Sequence, residues 1–230
     1  MVDKPTGVTS FSLVGAVRRT LNLRKVGHCG TLDPLATGLM VLLVGRNYTR
    51  LSDQLLGQDK SYEAEVKLGE ETDSYDAEGT ILASSDLQPK LEDIQDVLQG
   101  FQGIQLQTPP MYSAKKQNGR KLYELARKGQ VVEREPVQVR LAIELLGYQY
   151  PYLSLNIHCT KGTYIRSLAQ DIGQELGCGA HLSGLRRTQS GQFCLRDALP
   201  ADLLKPESAE QVRTALAAHT AKWRASGASA

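Results

Sequence analysis

No apolar run in this chain approaches the roughly 18 residues that a membrane-spanning helix needs, and the first residues lack the basic-then-apolar order of a secretion signal. A cytoplasmic protein with no membrane association is expected. Cys-x-x-Cys and His-x-x-x-His pairs are also missing, so the usual zinc-ligand spacings do not occur. His28-Cys29, His158-Cys159 and Cys178-x-x-His181 remain, but neighbours on a strand point to opposite faces, and His158 and Cys159 could not easily share one ion. No metal site is expected. Four cysteines in 230 residues do not make a disulfide framework, and Cys29, Cys159, Cys178 and Cys194 read as reduced, buried or half-buried residues. No internal repeat is visible, and a formal net charge of +2 is too small to announce a nucleic-acid partner.

The composition is 41% hydrophobic and 23% charged, an ordinary soluble balance in a chain long enough for one substantial core or a large domain with an appendage. The charge is placed unevenly. From Glu63 to Asp96 there are eleven acids against two bases, Lys67 and Lys90. From Lys115 to Lys128 there are six bases, Lys115, Lys116, Arg120, Lys121, Arg127 and Lys128, against the single acid Glu124. Arg18, Arg19, Arg24 and Lys25 make a second basic cluster. A charge run is most often a solvated face, yet two basic clusters around one loop suit a polyanion that has to reach it.

Periodicity gives an α/β reading. Ser10 precedes Leu13, Val14, Val17 and Leu21 at helical spacing, which predicts a helix over 11–21 capped by Ser10. Leu39 to Val44 reads as a short buried strand, and Tyr62, Ala64, Val66 and Leu68 alternate with charged residues as a half-buried one. The acidic stretch after Gly69 reads as a surface loop. Leu91 to Phe101 is a second helix, 105–121 a long exposed insertion, and Leu122 to Lys128 a short helix. Val137 to Leu145 and Leu153 to Cys159 alternate as strands, and Ile165 to Leu176 is helical with Thr163 as its N-cap. Arg166 then falls in a first turn, where a cation opposes the helix dipole, so it either reaches water or meets a carboxylate such as Asp33. The last thirty residues, 201–230, hold nine alanines and read as a tail, disordered or with a short helix over 209–218.

The most informative stretch is Gly27-His28-Cys29-Gly30-Thr31-Leu32-Asp33-Pro34-Leu35-Ala36-Thr37-Gly38. Asp33 is the one carboxylate between Asp3 and Asp53. Pro34 pushes it toward an extended backbone, and the glycines on both sides permit tight turns or close approach of another segment. Such a loop can offer one acid to a bulky substrate. Asp-Pro alone is usually an ordinary turn.

As a whole the stretch resembles the catalytic motif of the TruB family of tRNA pseudouridine synthases, Gly-His-x-Gly-Thr-Leu-Asp-Pro-x-Ala-x-Gly. Asp3 to Ser10 resembles that family's opening segment, Lys60-Ser61-Tyr62 its Lys-x-Tyr motif, and Gly162 to Arg166 its arginine motif. Leu185 to Thr188 with Gly191-Gln192-Phe193 resembles its closing strand, so the likeness runs from residue 3 to about 200.

The resemblance implies a central mixed, mostly antiparallel sheet flanked by helices and RNA-binding loops, with a catalytic domain over 1–200. It implies 105–128 as a basic RNA-gripping insertion, and thirty tail residues are too few for the PUA-type RNA-binding domain that relatives usually carry. It assigns Asp33, Tyr62 and Arg166 to catalysis, with Arg166 as the ion-pair partner of Asp33 and Tyr62 against the flipped base. From sequence alone, a core aromatic on a half-buried strand is an equal reading of Tyr62. Lys4, His28, Lys60, Lys115, Lys116, Arg120, Lys121, Arg186 and Arg187 are expected at the RNA. The implied activity is conversion of uridine to pseudouridine at position 55 in the T-loop of tRNA, by a monomer without metal or organic cofactor. The rival reading is a non-catalytic tRNA-binding and folding module.

Overall fold

The apolar run after Gly38 has no polar face to offer water, and it extends as a strand over Thr37–Val44 with Leu39 and Met40 fully buried. The computed structural model describes residues 1–113, 115–117, 119–126, 129, 130 and 132–225. In chain order they form β1 (Val2–Lys4), α1 (Ser10–Leu21), β2 (Val26–Cys29), β3 (Thr37–Val44), α2 (Arg46–Thr49), α3 (Ser52–Leu56) and β4 (Lys60–Leu68). Then come β5 (Glu70–Thr72), β6 (Ile81–Ser84), α4 (Leu91–Gly100), β7 (Gly103–Gln107), β8 (Lys116–Gln117), β9 (Arg120–Lys121) and α5 (Leu122–Ala126). The rest is β10 (Val137–Gln149), β11 (Tyr152–Cys159), α6 (Ile165–Glu175), β12 (Ala180–Ser190), β13 (Phe193–Cys194), β14 (Leu199–Pro200) and α7 (Ala209–Ala225). Two compact units emerge, Met1–Ser61 together with the chain from Arg186 onward, and Tyr62–Leu185.

In the first unit β3 is the centre of the sheet. It pairs antiparallel with β1 and β2 and parallel with the end of β12, where Arg187 lies beside Gly38. β14 adds to β1 in parallel. Cys29, Leu39, Val41, Leu43 and Leu55 form a core against which Tyr48, Phe193 and Leu195 pack. The cap of α1 is Thr9 rather than Ser10: Thr9 Oγ1 accepts the Ser12 amide at 3.1 Å, and Ser10 is buried with other partners. Asn22, in the left-handed region, ends the helix by returning its N–H to the Arg18 and Arg19 carbonyls. Residues read as a tail make a 17-residue helix, α7, with Val212 buried. Trp223 of α7 meets Tyr48 edge-on at 6.1 Å, and Lys222 pairs with Asp197 at 2.8 Å.

In the second unit the strands run β12, β4, β11, β10, β7, mostly antiparallel. Val66, Leu68, Leu141, Ile143, Leu153, Leu155 and Ile157 are buried, as are Ile94 and Leu98 of α4 and Leu168 and Ile172 of α6. The alternation of these strands is therefore what sequence periodicity indicates. The stretch after Gly69 departs from its reading as a surface loop: β5 and β6 pair as a hairpin, and Asp76 inside it is buried. The insertion contains a small hairpin, β8 with β9, and α5, whose Leu122 and Leu125 are buried. Arg127 and Lys128 lie outside the described residues. The cap of α6 also differs from expectation, because Tyr164 occupies the N-cap position and Thr163 Oγ1 instead donates to the Thr160 carbonyl at 2.8 Å. Among the described residues no helix is long and apolar enough to cross a membrane.

Candidate active site

Asp33 sits half-buried in the loop between β2 and β3 of the first unit, and the backbone on both sides of it is tied down. Ser10 Oγ accepts the Leu32 amide at 2.8 Å and donates to the Leu32 carbonyl at 3.0 Å. The Ala36 amide donates to the Asp33 carbonyl at 3.1 Å, the Gly7 amide to the Pro34 carbonyl at 2.9 Å, and Thr6 Oγ1 to the Leu35 carbonyl at 3.2 Å. Lys4 Nζ donates to the carbonyls of Pro5, Pro34 and Ala36. From the other side Arg187 donates through Nε to the Leu39 carbonyl at 2.8 Å and through Nη2 to the Gly30 carbonyl at 3.2 Å. A buried carbonyl left unpaired costs free energy, so these bonds favour one loop conformation. The backbone that carries Asp33 is thus fixed from both sides.

This bonding gives three residues of the RNA assignment a structural role. Lys4, Lys60 and Arg187 were expected at the RNA, but all three are buried. Lys4 and Arg187 serve the Asp33 loop, and Lys60 Nζ donates to the Leu56 and Gln58 carbonyls. A charge that has left water must be met by oriented dipoles, and these ammonium and guanidinium groups are met by carbonyls. Arg186 keeps substantial exposure and pairs with Asp3 at 2.7 Å. Lys115 and Arg120 are exposed, and the backbones of Lys116 and Lys121 face each other in the β8–β9 hairpin.

His28 lies on β2 opposite Leu42, with its Nδ1 buried and without a hydrogen-bond partner among the described residues. Burial, and then the Arg187 charge, hold its pKa below the ordinary histidine value, against a smaller raising effect from a Gly30 backbone hydrogen bond. Cys29 beside it is buried, and its thiol is pushed up to about 11, chiefly by burial. A thiol so rarely ionised is a poor nucleophile.

In the second unit Tyr62 lies on the buried face of β4. Arg166 is buried too, so the water-reaching alternative falls. Its Nη1 donates to the Ser74 carbonyl at 3.1 Å and its Nη2 to the Tyr112 carbonyl at 2.8 Å, and Asp76 Oδ2 lies 3.6 Å from Nη1. Asp76 is itself oriented: its Oδ1 accepts from Ser74 Oγ at 2.6 Å and from the Glu78 amide at 3.1 Å. Within this unit, then, the carboxylate that meets Arg166 is Asp76, which sequence reading passed over as one of eleven acids in a solvated run. The available signal was the arginine in a first turn, whose conflict with the helix dipole called for an acid.

Comparison with known proteins places this chain in a family. The model of the TruB family pseudouridylate synthase N-terminal domain matches residues 18–165, and that of the tRNA pseudouridylate synthase B C-terminal domain matches residues 166–218. The chain belongs to the TruB family. Its TruB relatives include the tRNA pseudouridine synthase B of Protochlamydia amoebophila, 61% identical over 199 residues that cover 86% of this chain and 76% of that protein. The tRNA pseudouridine synthase B of Opitutus terrae is 50% identical over 207 residues, covering 89% and 86%. Among solved structures, a crystal structure of a Cbf5-Nop10-Gar1 complex is similar with a TM-score of 0.69 and 31% identity, over 88% of this chain and 52% of that one. An H/ACA RNP bound to a substrate RNA containing 2'-deoxyuridine has a TM-score of 0.65 and 27% identity, over 99% and 55%. This chain thus spans about half the length of those structural neighbours. As a member of the TruB family it is a pseudouridine synthase, an isomerase, and the non-catalytic reading is not favoured.

Proposed function

We propose that this protein converts uridine to pseudouridine at position 55 of tRNA, acting as a monomer on the T-arm in the cytoplasm. The observation that carries the reading is the Asp33 loop, whose backbone is fixed by hydrogen bonds on both sides of its single acid. The reaction breaks the C1′–N1 bond, turns the base and joins C5 to C1′, with the C5 proton passing to solvent and a proton taken up at N1, so that substrate and product are isomers. No electrons are exchanged. Asp33 acts either by adding to C6 of the pyrimidine or by assisting departure of the base from the sugar. Arg166 serves as the ion-pair partner of the reacting carboxylate, Asp76 holds Arg166, and Tyr62 stacks on the base. The target uridine has to leave the RNA stack, at a cost of a few kcal/mol that contacts to the RNA offset. Lys115, Lys116, Arg120, Lys121 and Arg186 supply such contacts, and His28 helps open the loop.

The test is release of tritium from a T-stem-loop transcript carrying C5-labelled uridine at the target position. Wild-type protein should release it, and Asp33→Asn should lose the rate by at least about 10³-fold while RNA binding persists, as removal of an acting nucleophile does. Arg166→Lys keeps the charge and loses the planar fork, so a loss of about 10²-fold is expected. Activity of Asp33→Asn within tenfold of wild type would remove Asp33 from the chemistry.

A further inference from the structure

The start of α6 is held by one short piece of chain. Gln107, the buried last residue of β7, joins its carboxamide to Tyr164 twice: Nε2 donates to the Tyr164 carbonyl at 3.0 Å, and Oε1 accepts the Tyr164 amide at 2.8 Å. Tyr164 is the N-cap residue, and its own side chain makes no capping bond. The first N–H groups of a helix have no partner inside it, so a capping group has to come from elsewhere. Here it comes from a residue 57 positions away. Two further bonds run alongside, Ser167 Oγ to the Thr108 carbonyl at 3.2 Å and Arg166 Nη2 to the Tyr112 carbonyl at 2.8 Å. Residues 164, 166 and 167 are therefore all tied to 107–112, the segment that leads into Lys115 and the basic stretch.

We propose that Gln107 is a positioning residue for Arg166. A single hydrogen bond lets a helix end swing about it, whereas a carboxamide bonded to both the N–H and the C=O of one residue fixes distance and orientation together. Gln107 thereby sets the height and rotation of the first turn of α6, and with it the direction of the Arg166 guanidinium. The helix body needs no such help, since Leu168 and Ile172 are seated in the core. The inference rests on the reading of Arg166 as the group that acts on the catalytic carboxylate, and it adds a residue that touches neither RNA nor reacting atoms.

Gln107→Met keeps chain length and volume and removes both bonds. Gln107→Glu keeps an acceptor for the Tyr164 amide and sets an oxygen against the Tyr164 carbonyl. The measurement is the single-turnover rate constant for tritium release with enzyme in saturating excess over T-stem-loop RNA. A merely structural role lowers the amount of competent enzyme and leaves that rate constant unchanged. Misplacement of a reacting group by about 1 Å can cost about 10²-fold, so a fall of about 10- to 100-fold is expected in both variants, with RNA affinity within about twofold of wild type. In an Arg166→Lys background the same Gln107 changes should cost less than about a further twofold, because two residues acting as one unit are not additive. An unchanged rate constant, or the full loss repeated in the Arg166→Lys background, overturns the proposal. Thermal melts report folding, and if Gln107→Met fails to fold, Gln107→Glu carries the comparison. The functional reading fails separately, through a wild-type protein that releases no tritium.

Discussion

Gly38 adopts a backbone φ of +97°, and a Cβ added there would run into the Arg187 amide and carbonyl of the neighbouring strand. Gly7 has a comparable φ of +77° but open space around it. Gly38→Ala should therefore destabilise the protein more than Gly7→Ala, by about 1–3 kcal/mol beyond the shared conformational cost. Paired denaturant titrations check this, and equal losses would mean that the strand contact yields freely. His28 gives a pH-dependent counterpart. Its folded pKa lies below 6.5 because of burial and Arg187, so below about pH 6.5 the unfolded chain binds more protons than the folded one. Stability is then complete above that value and falls as pH drops toward the folded pKa, with His219, also lowered by burial, adding the same sign. Thermal melts from pH 8 to 5.5 should show the decline, and His28→Gln should reduce its slope. The rigid loop around Asp33 is legible in sequence, because the acid stands alone among glycines beside a proline. The fates of Lys4, Lys60 and Arg187 are not, since a positive charge is the same letter whether it meets a phosphate or three backbone carbonyls.

At the scale of elements, α6 shows what periodicity can and cannot supply. Its apolar spacing marks the helix correctly, but local sequence points to Thr163 as its cap, whereas Tyr164 occupies that position and Gln107 bonds it through space. Long-range side-chain bonds to backbone leave no local signature. α7 was read too short because alanine is neutral to an apolar-stripe count, although it favours helix more than any other residue. One face of α6 also carries a like-charge pair, Asp171 and Glu175, one turn apart. Burial first, and Glu175 second, push the Asp171 carboxyl up to about 6. The folded state therefore holds this proton more tightly than the unfolded chain does. That contribution is fully present below about 3.8, the ordinary carboxyl value, and is lost as pH rises through about 6. Asp171→Asn should raise the melting temperature at pH 8, with a gain that shrinks steadily between pH 6 and pH 4. A gain independent of pH would trace the effect to packing.

At the scale of the whole molecule, the strand identities were readable and their order was not. Neighbouring hairpins such as β10 with β11 follow from alternation, whereas the parallel pairing of β12 with β3 joins Arg186 to Thr37 across most of the chain. Such pairings depend on which edges are left open after everything else has packed. The uneven charge does carry a whole-molecule expectation. If the segment with exposed Lys115 and Arg120 grips RNA, affinity falls steeply with salt, and each lost phosphate contact lowers the slope of log affinity against log salt by roughly 0.7 to 0.9. Replacing Lys115, Lys116 and Arg120 by alanine should weaken T-stem-loop binding and flatten that slope, with little change in rate at saturating RNA. Filter binding at several salt concentrations measures both quantities, and an unaltered slope would place the grip elsewhere.

The unit that carries Asp33 is discontinuous, built from residues 1–61 and from Arg186 onward, with the other unit's residues between them. During synthesis the Asp33 loop therefore leaves the ribosome long before the arginine that grips the Gly30 and Leu39 carbonyls. Domains fold as units while the chain emerges, and this one cannot be completed from its first half. A growing chain consequently carries Asp33 on an unclamped loop until Arg187 has been made and closes over Gly30.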